Sequence, residues 1–306
     1  MRKILLRESL HVSNVVLGCW RMDRLDDSHA ARVVSCALEN GINFFDHADI
    51  YGNGISEENF AKAWKTVGVS REKIVLQSKA GIDTDNGIYD FSAERIERAV
   101  EGSLRRLQTE YLDVLLLHRP DTLFEPEEVA EAFTRLYAKG KVRFFGVSNQ
   151  NPMQIELLRD YVQQELIINQ MQFSPAHAQM VSEGLCVNNM IDGAIVRDGG
   201  VLEYCRRKHI AMQAWSPFQF GCIEGVYLDH PNYLPLNQTL RGLAEEYHVT
   251  PGAIVVAWIL RHPAFAQCVV GSMNPERIGQ LCKGAELILT KKQWYDIYKA
   301  AGNEMP

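Results

Sequence analysis

Gly41-Ile-Asn-Phe-Phe-Asp-His-Ala-Asp-Ile-Tyr-Gly52 is the stretch from which the rest of the chain can be read. Its apolar run, Ile42–Phe45, is too short for a helix and breaks abruptly into Asp46, with Tyr51 close behind. A brief apolar run that opens on glycine and ends on ionisable residues predicts a buried strand whose C-terminal end meets something polar.

Seven more runs have the same form. Val15–Leu17 comes first. Ile74–Leu76 leads to Lys79, Leu112–Leu117 to His118, and Val142–Phe145 to Ser148-Asn149. Leu166–Ile168 leads to Asn169-Gln170, Ile210–Ala214 to Trp215-Ser216, and Cys268–Val270 to Gly271-Ser272. Helical signals lie between them. Ser28–Asn40 follows Asp26-Asp27 and stops at Gly41, an acidic start and a glycine end. Ser92–Leu107 begins on a good N-cap residue and carries Ile96, Val100 and Leu104 at four-residue spacing. Glu127–Ala138 ends in Lys139-Gly140, and Thr290 with Gln293 forms a capping box ahead of Trp294, Ile297 and Tyr298.

Strands alternating with helices close into a barrel or open into a doubly wound sheet. The count of eight favours closure. So does the lack of a G-x-G-x-x-G turn after the first strand, which a dinucleotide-binding open sheet would want. The expected fold is α/β: one (β/α)8 TIM barrel with extra C-terminal helices, residues 1–306 forming a single domain. Residues 175–200 carry little pattern, and a loop of that length is usually functional or mobile.

In such a barrel the C-terminal strand ends share one rim, and the rim holds the active site. Asp46, Tyr51, Lys79 and His118 therefore converge. Singly they have bland readings: a turn cap, a packing ring, a solvated charge, a satisfied histidine. Together they suggest chemistry. A buried lysine held charged by an aspartate would lower a neighbouring tyrosine from its reference near 10 by favouring the phenolate. That makes a proton donor to a carbonyl oxygen, and a histidine on the same rim would orient the carbonyl.

Composition narrows the class. The chain is 46% hydrophobic and 23% charged, ordinary globular values, and its net charge of -6 argues against a nucleic-acid partner. Seven scattered cysteines without a C-x-x-C pair read as reduced thiols of a cytoplasmic protein. No stretch approaches the roughly 18 apolar residues of a membrane helix, and the start is too briefly apolar for a signal peptide.

The same residues resemble the aldo-keto reductases. Gly41–Gly52 is similar to that family's signature around its catalytic aspartate and tyrosine. Gln-Ser-Lys79-Ala, Leu-Leu-Leu-His118-Arg-Pro-Asp, Gly146-Val-Ser-Asn149, Asn169-Gln170 and Val270-Gly-Ser-Met-Asn-Pro-Glu-Arg277 follow in the family's order. The resemblance implies reduction of a small-molecule carbonyl by NADP(H), with NAD(H) the alternative. It implies that Tyr51 protonates the oxygen, with Lys79 and Asp46 tuning it and His118 placing the carbonyl. Ser148, Asn149 and Gln170 would hold the nicotinamide carboxamide, and Trp215 would stack on its ring. Ser216, Pro217, Phe218 and Gly221 would follow the pyrophosphate; Gly271, Ser272 and Arg277 would meet the adenosine phosphate. Trp20 would wall the pocket beside cofactor and substrate, with Tyr89, Phe218 and Phe220 nearby.

Four departures stand out. His47 replaces a common threonine and is expected to be inert. Trp215 replaces a tyrosine, which conserves stacking. Gly271 stands where many members place a lysine on the 2′-phosphate, although Arg277 is retained and an arginine takes phosphate bidentately. The 175–200 segment is longer than in many members. Two other classes compete. One is a nucleotide-binding regulatory barrel with slow or vestigial turnover, against which the complete tetrad argues. The other is a metal-dependent hydrolase built on Asp46, His47, Asp49 and His118, against which the missing His-x-His pair and the cationic Lys79 argue. No metal is expected.

Overall fold

Eight parallel strands close on themselves in chain order: β1 (Val15–Gly18), β2 (Phe44–Asp46), β3 (Val75–Ala80), β4 (Leu112–Leu117), β5 (Val142–Ser148), β6 (Leu166–Gln172), β7 (Ala211–Trp215) and β8 (Phe265–Val270). The computed structural model describes residues 1–7 and 10–306. β8 pairs with β1, and that pairing shuts the barrel. Helices follow the strands around the outside, which makes this a (β/α)8 TIM barrel, and helix Lys291–Ala300 lies beyond the last barrel unit.

All eight expected strands exist, but their boundaries move. β3, β5 and β6 run past the apolar stretch, to Ala80, Ser148 and Gln172. Hydrophobicity stops at the polar residues, yet backbone pairing does not, because Gln77, Lys79, Ser148 and Gln170 are buried and hydrogen-bonded. β2 instead starts late, at Phe44. Asn43 is occupied below it, accepting from the Ser13 amide (2.7 Å) and donating to the His11 carbonyl (3.1 Å).

Those contacts tether an element absent from the sequence reading. Lys3–Arg7 pairs antiparallel with Leu10–Ser13. Leu6, Leu10 and Val12 of this hairpin pack into one cluster with Val16, Phe44, Val75, Val114 and Ile168 of the barrel strands. The hairpin thus plugs the end of the barrel opposite the rim.

Local capping is as expected. Asp26 accepts from the His29 amide to start Asp27–Glu39, and Ser92 does the same from Arg95 for Ala93–Leu107. Thr290 and Gln293 form the reciprocal capping box of Lys291–Ala300. The 175–200 segment has more structure than its sequence suggests. Helix Gln179–Leu185 places the Glu183 carboxylate under the amides of Arg197 (3.2 Å) and Gly200 (3.1 Å). The C-terminal tail clasps the same segment: Asn303 donates to the Pro175 carbonyl (2.9 Å), and the Gly193 amide donates to Glu304 (3.2 Å).

Candidate active site

At the top of β2 the Asp46 carboxylate is buried, and Lys79, the last residue but one of β3, points at it. Lys79 is 1% exposed. Its ammonium donates to Asp46 Oδ1 (2.7 Å), the His47 carbonyl (2.8 Å) and Tyr51 Oη (3.1 Å). A lysine has three donors and no acceptor, so every proton is spent. Burial alone would push this lysine down, but the Asp46 charge and the tyrosine more than offset it, and its pKa is raised.

Tyr51 departs from the expected direction. Lys79 does favour the phenolate, but burial of the ring penalises that charge more, and the phenol sits above its usual value. The cation is visible in the sequence, whereas the depth of burial is set by the fold. The result is a tyrosine that keeps its proton, with a cation 3.1 Å away to receive the charge if the proton leaves.

His118 sits edge-on to Tyr51, ring centroids 6.0 Å apart. Burial, then the cations of Lys79 and Arg119, hold its pKa well below the usual histidine range. The imidazole is therefore neutral, with one N–H to offer. His47 next to the aspartate is packing: its ring is buried edge-on against Phe60 at 4.6 Å, neither nitrogen has a partner, and burial lowers it to about 3. Only its backbone carbonyl serves the site. Asp49 turns aside to Arg95 (3.2 Å). Asp46, His47 and Asp49 thus have three separate environments and share no ligand geometry.

The expected carboxamide contacts join the same network. Ser148 Oγ donates to the Gln170 carbonyl (2.9 Å), and Asn149 Nδ2 donates to Ser148 Oγ (2.8 Å) and to the His118 carbonyl (3.4 Å). Trp215 Nε1 donates to Asn149 Oδ1 (3.2 Å), which fixes the plane of the indole. Gln170 Nε2 donates to Asp46 Oδ1 (3.1 Å). Asn169 points the other way and donates to the Gln150 carbonyl (2.9 Å), as alternation along a strand requires.

After β7 the chain turns at Ser216, whose φ is 49°, and forms a small hairpin of Gln219–Phe220 with Gly225–Val226. Gln172 donates to the Gly221 carbonyl (2.7 Å), Ser174 to the Gln219 carbonyl (3.1 Å) and Tyr227 Oη to the Pro217 carbonyl (2.6 Å). Ser216, Pro217 and Gly221 therefore belong to one anchored loop. Phe218 is packed against the core, while Phe220 packs inside the loop on His230 and Tyr233. After β8, Ser272 and Arg277 flank the start of helix Pro275–Lys283, where Asn274 accepts from the Arg277 amide (3.0 Å). A helix N-terminus with a serine and an arginine suits a phosphate. Trp20 lies beside β1, 43% exposed, and Tyr89 is 49% exposed on the Ile82–Asp83/Ile88–Tyr89 hairpin.

Two cations escaped the sequence reading. Arg21 crosses from the β1 loop to donate to the Gly271 carbonyl (3.2 Å), beside the position vacated by the family's lysine. Arg119 lies 5.4 Å from the Trp215 ring centroid. Both directly follow residues already assigned to the rim, and that adjacency is the signal that could have found them. The residues fit an extended dinucleotide. Trp215 is hydrogen-bonded to Asn149 at the end of β5, and the phosphate-type groups follow in the loops after β7 and β8, in barrel order. Gln170 Oε1 has no hydrogen-bond partner among the described residues, which leaves an acceptor for a carboxamide.

Comparison with known proteins places the chain in a family. Residues 14–301 match the model of the aldo/keto reductase family. The oxidoreductase YdhF of Escherichia coli is 34% identical, covering 96% of this chain and 95% of its own. A 6-dehydroglucose reductase of Agrobacterium fabrum is 32% identical over 98% of both chains. Among solved structures, a Bombyx mori aldo-keto reductase in complex with NADP superposes with a TM-score of 0.76 at 22% identity, covering 98% of this chain and 92% of that one. The chain belongs to the aldo/keto reductase family and is an NAD(P)H-dependent oxidoreductase.

Proposed function

We propose that this protein reduces an aldehyde or ketone to an alcohol, with NADPH as the preferred donor and Tyr51 as the general acid. The observation that carries the reading is the Lys79 ammonium, whose three donors are divided among Asp46, the His47 carbonyl and Tyr51 Oη. Bound NADPH supplies hydride to the carbonyl carbon. Tyr51 holds the proton that goes to the carbonyl oxygen, and burial keeps that proton on the phenol until it is needed. Lys79 stabilises the phenolate left behind, and Asp46 keeps Lys79 charged. Neutral His118 donates an N–H to the same oxygen and sets its angle. Trp215, pinned by Asn149, offers the flat face on which a nicotinamide is positioned, with Ser148, Asn149 and Gln170 beside it. Ser216, Pro217, Phe218 and Gly221 line the diphosphate path. Gly271, Ser272 and Arg277, with Arg21 as an added cation, receive the adenosine 2′-phosphate end. Trp20 closes the pocket over the substrate.

The substrate class is a small carbonyl compound, in keeping with the named activity of the Agrobacterium relative. Free cysteines throughout the described residues support a reduced, cytoplasmic setting, and the continuous barrel supports a single working domain. The tyrosine role is tested by Tyr51→Phe. Turnover of a simple aldehyde should fall about 10²–10⁴-fold, the usual worth of a positioned acid, while NADPH binding by tryptophan fluorescence stays at the parent value. Turnover close to the parent's would remove Tyr51 from the mechanism.

A further inference from the structure

A TIM-barrel interior is usually filled with branched apolar side chains. This one carries a file of glutamines. Gln77 on β3, Gln213 on β7 and Gln267 on β8 have no exposed surface, and Gln170 on β6 is 3% exposed. Gln77 Nε2 donates to Asp46 Oδ1 (2.6 Å) and to Gln213 Oε1 (3.0 Å). Gln170 Nε2 donates to the same two oxygens, at 3.1 and 2.9 Å. Gln213 Nε2 then donates to Gln267 Oε1 (2.8 Å), and Gln267 Nε2 to the Ser13 carbonyl (2.7 Å) in the hairpin that plugs the barrel.

The direction of this chain is forced. A carboxylate and a backbone carbonyl can only accept, so both ends demand an N–H. Gln77 and Gln170 must turn their NH₂ groups to Asp46, and their second protons require Gln213 to present oxygen. Gln213 must then present nitrogen to Gln267, and Gln267 nitrogen to Ser13. Each amide has one orientation that satisfies its neighbours, and all the orientations agree. Asp46 Oδ1 therefore receives three donors, from Lys79, Gln77 and Gln170. Burying an unsupported carboxylate is costly, and charge-assisted hydrogen bonds are the strong ones.

We propose that Gln77 and Gln213 are positioning residues of the active site: a directed chain of glutamine amides, seated on the N-terminal hairpin, holds the Asp46 carboxylate against Lys79 and so keeps the ammonium beside Tyr51. The inference rests on the tetrad reading above. Gln77 acts directly on Asp46. Gln213 acts through the two amides it accepts from, and Gln267 closes the chain below. The same chain turns Gln170 nitrogen to the aspartate and leaves its Oε1 unpaired, so the carboxamide-binding acceptor is set by the same device. The other ionisable groups near the pair are Tyr51, the thiol of Cys19, which burial and the Asp46 charge keep protonated, and the neutral rings of His47 and His118. Glu57 lies farther out, paired with Arg106.

The test uses the full-length protein with NADPH and 4-nitrobenzaldehyde, comparing pH profiles of kcat for the parent, Gln77→Leu, Gln213→Leu and Lys79→Met. Leucine fills the space without donating or accepting. Gln77→Leu should lower kcat about tenfold, the scale of one charge-assisted hydrogen bond, with KM and NADPH affinity near the parent values. A loosened Asp46 supports the Lys79 charge less, so the basic limb of the profile should move down by about one pH unit. Gln213→Leu should move it the same way by less. Profiles that superimpose on the parent after scaling would overturn the proposal, since a space-filling role leaves the limb where it was. Lys79→Met at parental rate would overturn the tetrad reading and this proposal with it. An inactive Lys79→Met beside an unmoved Gln77→Leu profile would overturn the glutamine chain alone. If the leucine variants do not fold, ¹⁵N-glutamine spectra of the parent and Asp46→Asn decide. The Gln267 side-chain amide, at the far end, should shift with Asp46→Asn, and a change confined to Gln77 and Gln170 would overturn the proposal.

Discussion

Asp49 shows how strongly one buried group can depend on pH. It lies two residues before Tyr51, and its side chain is 6% exposed. Burial outweighs the pull of Arg95, and its pKa is raised to about 7. Unfolded, the same carboxyl would titrate near ~3.9. Between those values the folded protein holds a proton that the unfolded chain has released. The stability this contributes is full below the unfolded value and is lost as pH rises through about 7. Asp49→Asn removes the dependence, so its thermal stability relative to the parent should improve between pH 5 and pH 8, by a relative gain on the order of 2–4 kcal/mol. An equal offset at both pH values would show that Asp49 does not titrate there. Arg277 is a second residue-scale case. Its guanidinium makes no ion pair among the described residues, so Arg277→Ala has no internal structure to break. NADPH affinity should fall about tenfold or more, the loss of a charge-assisted pair, with NADH affinity nearly unchanged. Equal weakening of both in a titration would remove the 2′-phosphate role.

At the scale of elements, what is local was legible. Ser92 and Thr290 announce their helices because a cap bonds only to an amide three residues ahead. The 175–200 segment was illegible for the opposite reason. Its order comes from Glu183 reaching to Arg197 and Gly200, and from Asn303 and Glu304 reaching back from the C-terminus. Glu183→Ala should release two backbone amides and loosen this segment while sparing the barrel. Hydrogen exchange across 187–197 should accelerate, with the melting temperature falling only slightly. Unchanged exchange would show that the tail contacts hold the segment alone. Strand ends were misjudged on the same physics. A run of apolar residues marks where burial is cheap, but β3 and β6 continue because their polar side chains find partners on other strands.

For the whole molecule, closure is the decisive event, and Gly146 is where it leaves no room. A Cβ there would lie 2.6 Å from the Ile168 carbonyl oxygen and 2.8 Å from Leu116 Cδ2, on the two strands flanking β5. Gly146→Ala must push β4 or β6 outward. A loss of about 1–3 kcal/mol is expected in chemical denaturation, the usual cost of overpacking, with a weakened site as well, because Ser148 and Asn149 lie two and three residues on. A stability equal to the parent's would mean that the barrel breathes enough at β5 to absorb a methyl group.

The eight barrel strands, the order in which they follow and the polar residues near their C-terminal ends were legible in the chain, because burial pattern and capping are properties of a few consecutive residues. The four residues of the candidate tetrad were legible there too: Asp46 and His118 directly follow apolar runs, and Lys79 and Tyr51 come within six residues of one. What those residues feel was set by packing. The sign of the Tyr51 shift depends on how deeply the phenol is buried beside Lys79. The plug made by Lys3–Arg7 and Leu10–Ser13, the Arg21 bridge to Gly271 and the glutamine file from Asp46 to Ser13 all join residues far apart in the chain. Such contacts exist only once β8 has met β1 and the barrel interior has become one shared, water-poor space.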